Sequence, residues 1–301
     1  MKRHILCQSL VIACATAATA DNPFAHEVIS YDAGSPEPQL VDPSVVLGSP
    51  TRMTGLGIDP GVVSVFNPPW SDTDIVSIGP GGHLVIRFET PVVDHPNNPF
   101  GIDLLIFGNT GFIDVSYPQG IVGGLFGNDG GLVELSADGE NWVLVQDAKA
   151  DGLFPTQGYL DSGPFDEQPG SVLSDFTKPV DPALALDDFV GLDHAQVLEL
   201  YNGSGGGAGI DIASTGLSEI SYVRISNPAG SGVSVEIDAL SKVTPIALLG
   251  DLNGDGVVNV SDLLILLGAW GPVEPGGFDA DLNGDGVVNV SDLLILLANW
   301  G

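Results

Sequence analysis

Between residues 21 and about 243, apolar side chains recur at every second position in short runs broken by Gly and Pro. His83 to Glu89 sets Leu84, Ile86 and Phe88 against Val85, Arg87 and Glu89, and Ser234 to Asp238 alternates Val235 and Ile237 with polar neighbours. Period two is the mark of a strand with one face covered and one wet. Ile102 to Phe107 is apolar on both parities and predicts a strand covered on both faces. Val133–Ser136, Trp142–Val145 and Tyr222–Ser226 add three more, and Asp138-Gly139 between two of them predicts a hairpin, because the turn needs a positive φ that Gly supplies at little cost. Many short strands with Gly/Pro turns and no 3.6-residue period predict an antiparallel β-sandwich or jelly roll. Residues 152–200 fit least well and read as a long excursion from the sandwich, with a helical turn near Leu184 to Phe189.

The pattern changes at the C-terminus. Asp251 to Leu267 reads DLNGDGVVNVSDLLILL, and Asp281 to Leu297 repeats the same letters thirty residues later. Each copy couples a polar, Gly-containing loop to an apolar run, predicting helices over Ser261–Trp270 and Ser291–Trp300. These helices are too apolar to stand alone. They are expected to pack on each other about a pseudo-twofold, burying Leu and Trp, with Val258 and Val288 bringing the loops together. Residues 271–280 read as a turn and 244–250 as the joint to the sandwich, giving a small helical domain over 251–301 after a sandwich over 21–243.

The loops carry oxygen donors at the positions a calcium ion requires. Calcium takes six to eight oxygens with loose angles, so a chain curling around it needs short carboxylate and amide side chains at alternating places. In the first loop these are Asp251, Asn253, Asp255, the carbonyl of Val257, Asn259 and Asp262; in the second, Asp281, Asn283, Asp285, the carbonyl of Val287, Asn289 and Asp292. Gly256 stands where the loop turns sharply. The twelfth position is Asp where EF-hand loops usually have Glu. Two calcium ions are expected, and the pair is expected to fold on them. Asp103, Asn109 and Asp238 are further candidates for a structural third ion in the sandwich.

The N-terminus opens with Lys2-Arg3, runs apolar from Ile5 to Ala17 and reaches Ala18-Thr19-Ala20, the layout of a signal peptide over 1–20. Release outside the cell or display at its surface follows; Val11-Ile12-Ala13-Cys14 loosely resembles a lipobox and offers lipid anchoring at Cys14 as the alternative. Both cysteines, Cys7 and Cys14, fall within that segment, so disulfides are not expected in the mature protein. A net charge of -31 from 39 acidic and 8 basic side chains argues against nucleic acid and for divalent cations. No other stretch is long and apolar enough to span a membrane. No catalytic residue is marked out: there is no G-x-S-x-G or H-E-x-x-H, the histidines are scattered, and so many carboxylates single out no glycosidase pair.

The repeat pair over 251–301 resembles a type I dockerin domain, with two copies of D-x-N-x-D-G-x-x-N-x-x-D each followed by a Leu-rich helix. The resemblance implies calcium binding and docking onto a cohesin-type module, with recognition at Val260, Ser261, Val290 and Ser291. Leu267-Gly268 and Leu297-Ala298 stand where the family often has basic residues. Residues 81–243 resemble a bacterial cell-surface β-sandwich family in the GHLVIRF, DLLIFGN and GGAGIDI runs, and the Asp138-Gly139 hairpin is similar to one in discoidin-like, galactose-binding sandwiches. That similarity implies a carbohydrate-binding module. Trp70, Trp142 and Tyr159 are aromatic side chains that can stack on sugar rings, although Trp142, in an alternating strand, reads as a core residue. Three functions stay open: a non-catalytic binding protein, a dockerin-borne polysaccharide hydrolase, and a purely structural envelope component.

Overall fold

The computed structural model describes residues 22–273 and 280–301; the expected signal peptide over 1–20, with Cys7 and Cys14, lies outside them. Nine strands build the sandwich: β1 (Glu27–Asp32), β2 (Val76–Ile78), β3 (His83–Val93), β4 (Leu104–Gly108), β5 (Leu132–Ser136), β6 (Val143–Leu144), β7 (Ala208–Ile210), β8 (Glu219–Ser226) and β9 (Val235–Lys242). They form two antiparallel sheets, one ordered β1-β3-β8-β5-β6 and the other β7-β4-β9-β2. The alternation along β3 is the reason for this layering. Leu84, Ile86 and Phe88 point inward and join Val133, Leu135, Val223, Ile225, Val235 and Ile237 in one buried core. Strand β4 is buried on both parities, as its sequence predicts. Leu104 and Ile106 enter the main core, while Leu105 and Phe107 pack outward under Ile102, Phe176 and Val243. The Asp138-Gly139 turn also forms: Gly139 takes a φ of +77°, and the Asp138 carboxylate accepts the backbone N–H groups of Glu140 and Asn141 at 2.8 Å each.

The excursion is more ordered than its sequence suggests. It holds the expected turn α1 (Leu186–Phe189) and a helix the pattern did not predict, α2 (His194–Tyr201). Asp193 caps α2 by accepting the Gln196 N–H at 2.9 Å, and Gln196 returns the bond to the Asp193 N–H. Asn202 ends it in the left-handed conformation, φ +49°. Together with Val65, Phe66, Phe112 and Val122, these helices bury Phe189, Val197 and Tyr201 in a second, aromatic-rich core.

The C-terminal helices are α3 (Val260–Gly268) and α4 (Val290–Ala298), each starting one residue earlier than predicted. Their shared core is Val258, Leu266, Ala280, Val288 and Leu296. The pseudo-twofold shows in the backbone: Gly271, after the first helix region, pairs with Val288 of the second loop, and Gly301, after α4, donates to the Val258 carbonyl at 3.1 Å. The expectation that tryptophan fills this core is corrected, because Trp270 and Trp300 remain 48% and 46% exposed. Both lie past their helix ends, beyond the face that the two helices share.

Candidate metal centre

Each loop is preorganised by its own side chains. Asp251 accepts the Gly254 N–H at 2.8 Å with one oxygen and the Gly256 N–H at 2.9 Å with the other. Asn253 accepts the Asp255 N–H, and Asp255 the Val257 N–H, so successive donors are drawn to one side of the curl. Asp262 is fully buried and accepts from Leu252, Asn253 and Asn259 at 2.8, 3.2 and 2.8 Å. It is also the third residue of α3, and with Asn259, which caps the Ser261 N–H at 2.7 Å, it completes a reciprocal cap. An aspartate at the twelfth position therefore closes the loop and starts the helix with the same carboxylate, which sits favourably at the helix's positive end.

The outcome is a cluster of like charges: carboxylate oxygens of Asp251, Asp255 and Asp262 lie within 4.8 Å of one another. No lysine, arginine or histidine occurs anywhere from 251 to 301 to neutralise them. Three carboxylates, two amide oxygens and a backbone carbonyl, with no basic side chain among them, form an oxygen set that suits a hard divalent cation. The second loop repeats the frame. Asp281 accepts from Gly284 and Gly286, Asn283 from Asp285, Asp285 from Val287, and buried Asp292 from Asn283 and Asn289. In both loops the Asn side-chain amide donates to the carbonyl two residues earlier, Asn259 to Val257 and Asn289 to Val287, which places the expected carbonyl ligand beside the ninth-position side chain.

The family model of the type I dockerin domain matches residues 249–299. The C-terminal repeat pair is dockerin-like. Dockerin domains bind calcium, and the match covers both loops of this module and both its helices. No curated protein matches the chain, and no solved structure does. The resemblance of residues 81–243 to surface and discoidin-like sandwiches therefore gains nothing from these comparisons. No helix among the described residues is long and apolar enough to cross a membrane.

The two copies of the dockerin-like module differ in ways that their identical loop sequences do not reveal: among the described residues only the first loop gathers three carboxylates within 4.8 Å of one another, and Asp262 accepts three backbone N–H groups where Asp292 accepts two. The loop after β3 rests on the first calcium loop. His95 Nε2 lies 3.3 Å from the Gly254 carbonyl, and Asn97 donates to the Gly256 carbonyl at 3.0 Å. Gly256 is buried there, whereas Gly286 is open to solvent. His95 and Asn97 carry no motif, so nothing along the chain flags them.

The proposed third site in the sandwich is corrected. Asp103 accepts from Asn98 Nδ2 at 2.7 Å and from the N–H groups of His95 and Ile212, Asp238 accepts from the backbone and hydroxyl of Thr51, and Asn109 donates its Nδ2 to Glu236 while its own Oδ1 has no hydrogen-bond partner. Three side chains with three separate sets of partners do not converge on an ion. Burial instead shapes two sandwich acids: Asp238 and Asp151 are each 1% exposed, and desolvation pushes both carboxyls up to about 7. Of the aromatic candidates, Trp142 is not in the core as its strand parity implies; it is half-buried on the outer face, under the Arg224 guanidinium. Trp70 is 41% exposed, and Tyr159 faces Arg52, whose guanidinium carbon is 5.8 Å from its ring.

Proposed function

We propose that this is a secreted or cell-surface, non-catalytic protein that attaches to a cohesin-type partner through a calcium-loaded C-terminal module, with the sandwich as its cargo. The division is a signal peptide over 1–20, the sandwich over 21–243, a joint over 244–250 and the docking module over 251–301. The carboxylate cluster of Asp251, Asp255 and Asp262 carries the reading, since folding gathers these charges and the module itself has no lysine or arginine to balance them. Each loop holds one calcium ion, the first through Asp251, Asn253, Asp255, Val257, Asn259 and Asp262, the second through Asp281, Asn283, Asp285, Val287, Asn289 and Asp292. Bound calcium offsets the repulsion within each loop and fixes the helix that follows.

Partner contacts fall to the exposed residues just past each loop. Val260 and Val290 are both 58% exposed, and Ser261 and Ser291 are exposed beside them. Leu264 and Leu267, with Leu294 and Leu297, extend each into an apolar stripe along its helix, at 64, 47, 63 and 47% exposure. Leu267 and Leu297 replace the basic residues common in the family, so the partner is expected to present an apolar strip and few acids. The sandwich would bring polysaccharide or envelope material to the partner. Co-precipitation of the whole protein with a panel of cohesin modules, with and without EDTA, tests the docking: calcium-dependent capture lost in Val260→Asp/Val290→Asp is expected, and capture that ignores EDTA contradicts it.

A further inference from the structure

The outer face of the five-stranded sheet is not flat. Val85 has the outward parity of β3, opposite to Leu84 and Ile86, yet it is only 5% exposed. It forms the floor of a groove of about 660 Å³ walled by Ser30, His83, Glu134, Trp142 and Arg224. Glycines 81, 82 and 139 line its lip.

The walls are held in place by one another. Arg224 Nε donates to Glu134 Oε2 at 2.6 Å while its Nη2 pairs with the other carboxylate oxygen. The same guanidinium carbon lies 4.4 Å from the Trp142 ring centroid, fixing the indole at the groove wall. Ser30 Oγ and His83 Nε2 stand 3.3 Å apart on the opposite side. The groove therefore offers an aromatic surface and an apolar floor beside a rigid edge where N–H donors and carboxylate acceptors alternate.

That composition selects among ligand classes. Arg224 and Glu134 cancel, leaving no unpaired permanent charge to hold an ion, and an anionic ligand would also approach against a net charge of -31. A neutral polyol fits: each hydroxyl donates and accepts at once, matching the mixed edge, while the C–H face of a sugar ring rests on the part of the Trp142 ring that Arg224 leaves open. We propose that this groove binds a neutral saccharide, a proposal that rests on the reading of the sandwich as a carbohydrate-binding cargo and gives it a location. Position supports it. The groove lies at the His83 end of β3 and the docking module at the Val93 end, about 33 Å away at ~3.3 Å per residue, so ligand and partner do not compete for one surface.

Affinity electrophoresis of the whole calcium-loaded protein through gels containing xylan, mannan, mixed-linkage glucan or polygalacturonate tests this. Variants Trp142→Ala and Ser30→Trp, the second filling the groove from an exposed position, are run beside Trp70→Ala, with thermal midpoints as the check on folding. Retardation by a neutral polysaccharide, weakened at least tenfold in both groove variants and kept in Trp70→Ala, is expected. Retardation unchanged in Ser30→Trp overturns the groove but leaves the sandwich a carbohydrate binder. Retardation by polygalacturonate alone overturns the neutral class, and a wild type retarded by none of the four overturns the carbohydrate reading itself.

Discussion

Asp262→Ala should damage the C-terminal module far more than Asp255→Ala, although both remove one carboxylate from the same calcium loop. Asp262 is fully buried and is the acceptor for three backbone N–H groups, of Leu252, Asn253 and Asn259. Asn253 is exposed, so its N–H can turn to water, but the part-buried N–H groups of Leu252 and Asn259 lose their acceptor at about 1–3 kcal/mol each, roughly 2–6 kcal/mol together. A core as small as Val258, Leu266, Ala280, Val288 and Leu296 has little to offset that, since folds of this size rarely hold more than ~3–5 kcal/mol. Asp255 is exposed and its one backbone donor, Val257 N–H, can turn to water. Limited proteolysis of the whole protein, read by intact mass, separates the two. A loss of 3 kcal/mol raises the open population roughly a hundredfold or more. Cleavage within 251–301 should accelerate by about that factor in Asp262→Ala even in excess calcium, while Asp255→Ala should approach the wild-type rate once calcium is raised. Wild-type resistance in Asp262→Ala would refute the double role assigned to this carboxylate.

Calcium at a hundred times its dissociation constant adds about 2.7 kcal/mol per site, so EDTA should lower the helical circular dichroism of the whole protein and calcium should restore it. Gly256→Ala and Gly286→Ala share the strain of φ near +86° and +87°, but a Cβ at Gly256 also meets Pro96 at 2.7 Å and His95 at 2.9 Å. The first should therefore lower the calcium-loaded thermal midpoint more, and equal losses would mean that the sandwich does not rest on the first loop. Asp151 and Asp238 have folded pKa values of about 7, above the unfolded value of ~3.9, so the folded state holds protons that the unfolded state releases. Their contribution is full below pH ~4 and is lost as pH rises through 7, by about 1.4 kcal/mol per pH unit for each. Urea midpoints at saturating calcium should fall across that window, and Asp151→Asn should flatten the fall.

Much of this was readable from spacing, and the exceptions have physical reasons. The inward set of β3, Leu84, Ile86 and Phe88, is buried as its alternation demands, and the doubled loop announced its own carboxylates. Helix α2 was missed although Asp193 and Gln196 form a reciprocal cap, because an eight-residue helix on a mostly buried face shows too few turns for a clear period. The aromatic core escaped for another reason: Phe66, Phe112, Phe189 and Tyr201 meet from distant loops and short elements, and no local pattern records a meeting of that kind. Trp142 was misjudged because parity near a strand end does not survive the turn that precedes it. Asp103, Asn109 and Asp238 were grouped on residue type alone, and the fold sends each to a different partner.

Calcium titrated by calorimetry into the whole, chelator-stripped protein addresses the central claim most directly. Uptake of two ions per chain, with affinity lowered for one in Asp255→Ala, for one in Asp285→Ala and for both in the double variant, is the expected result. An absence of uptake, or uptake of undiminished affinity in the double variant, would contradict the account.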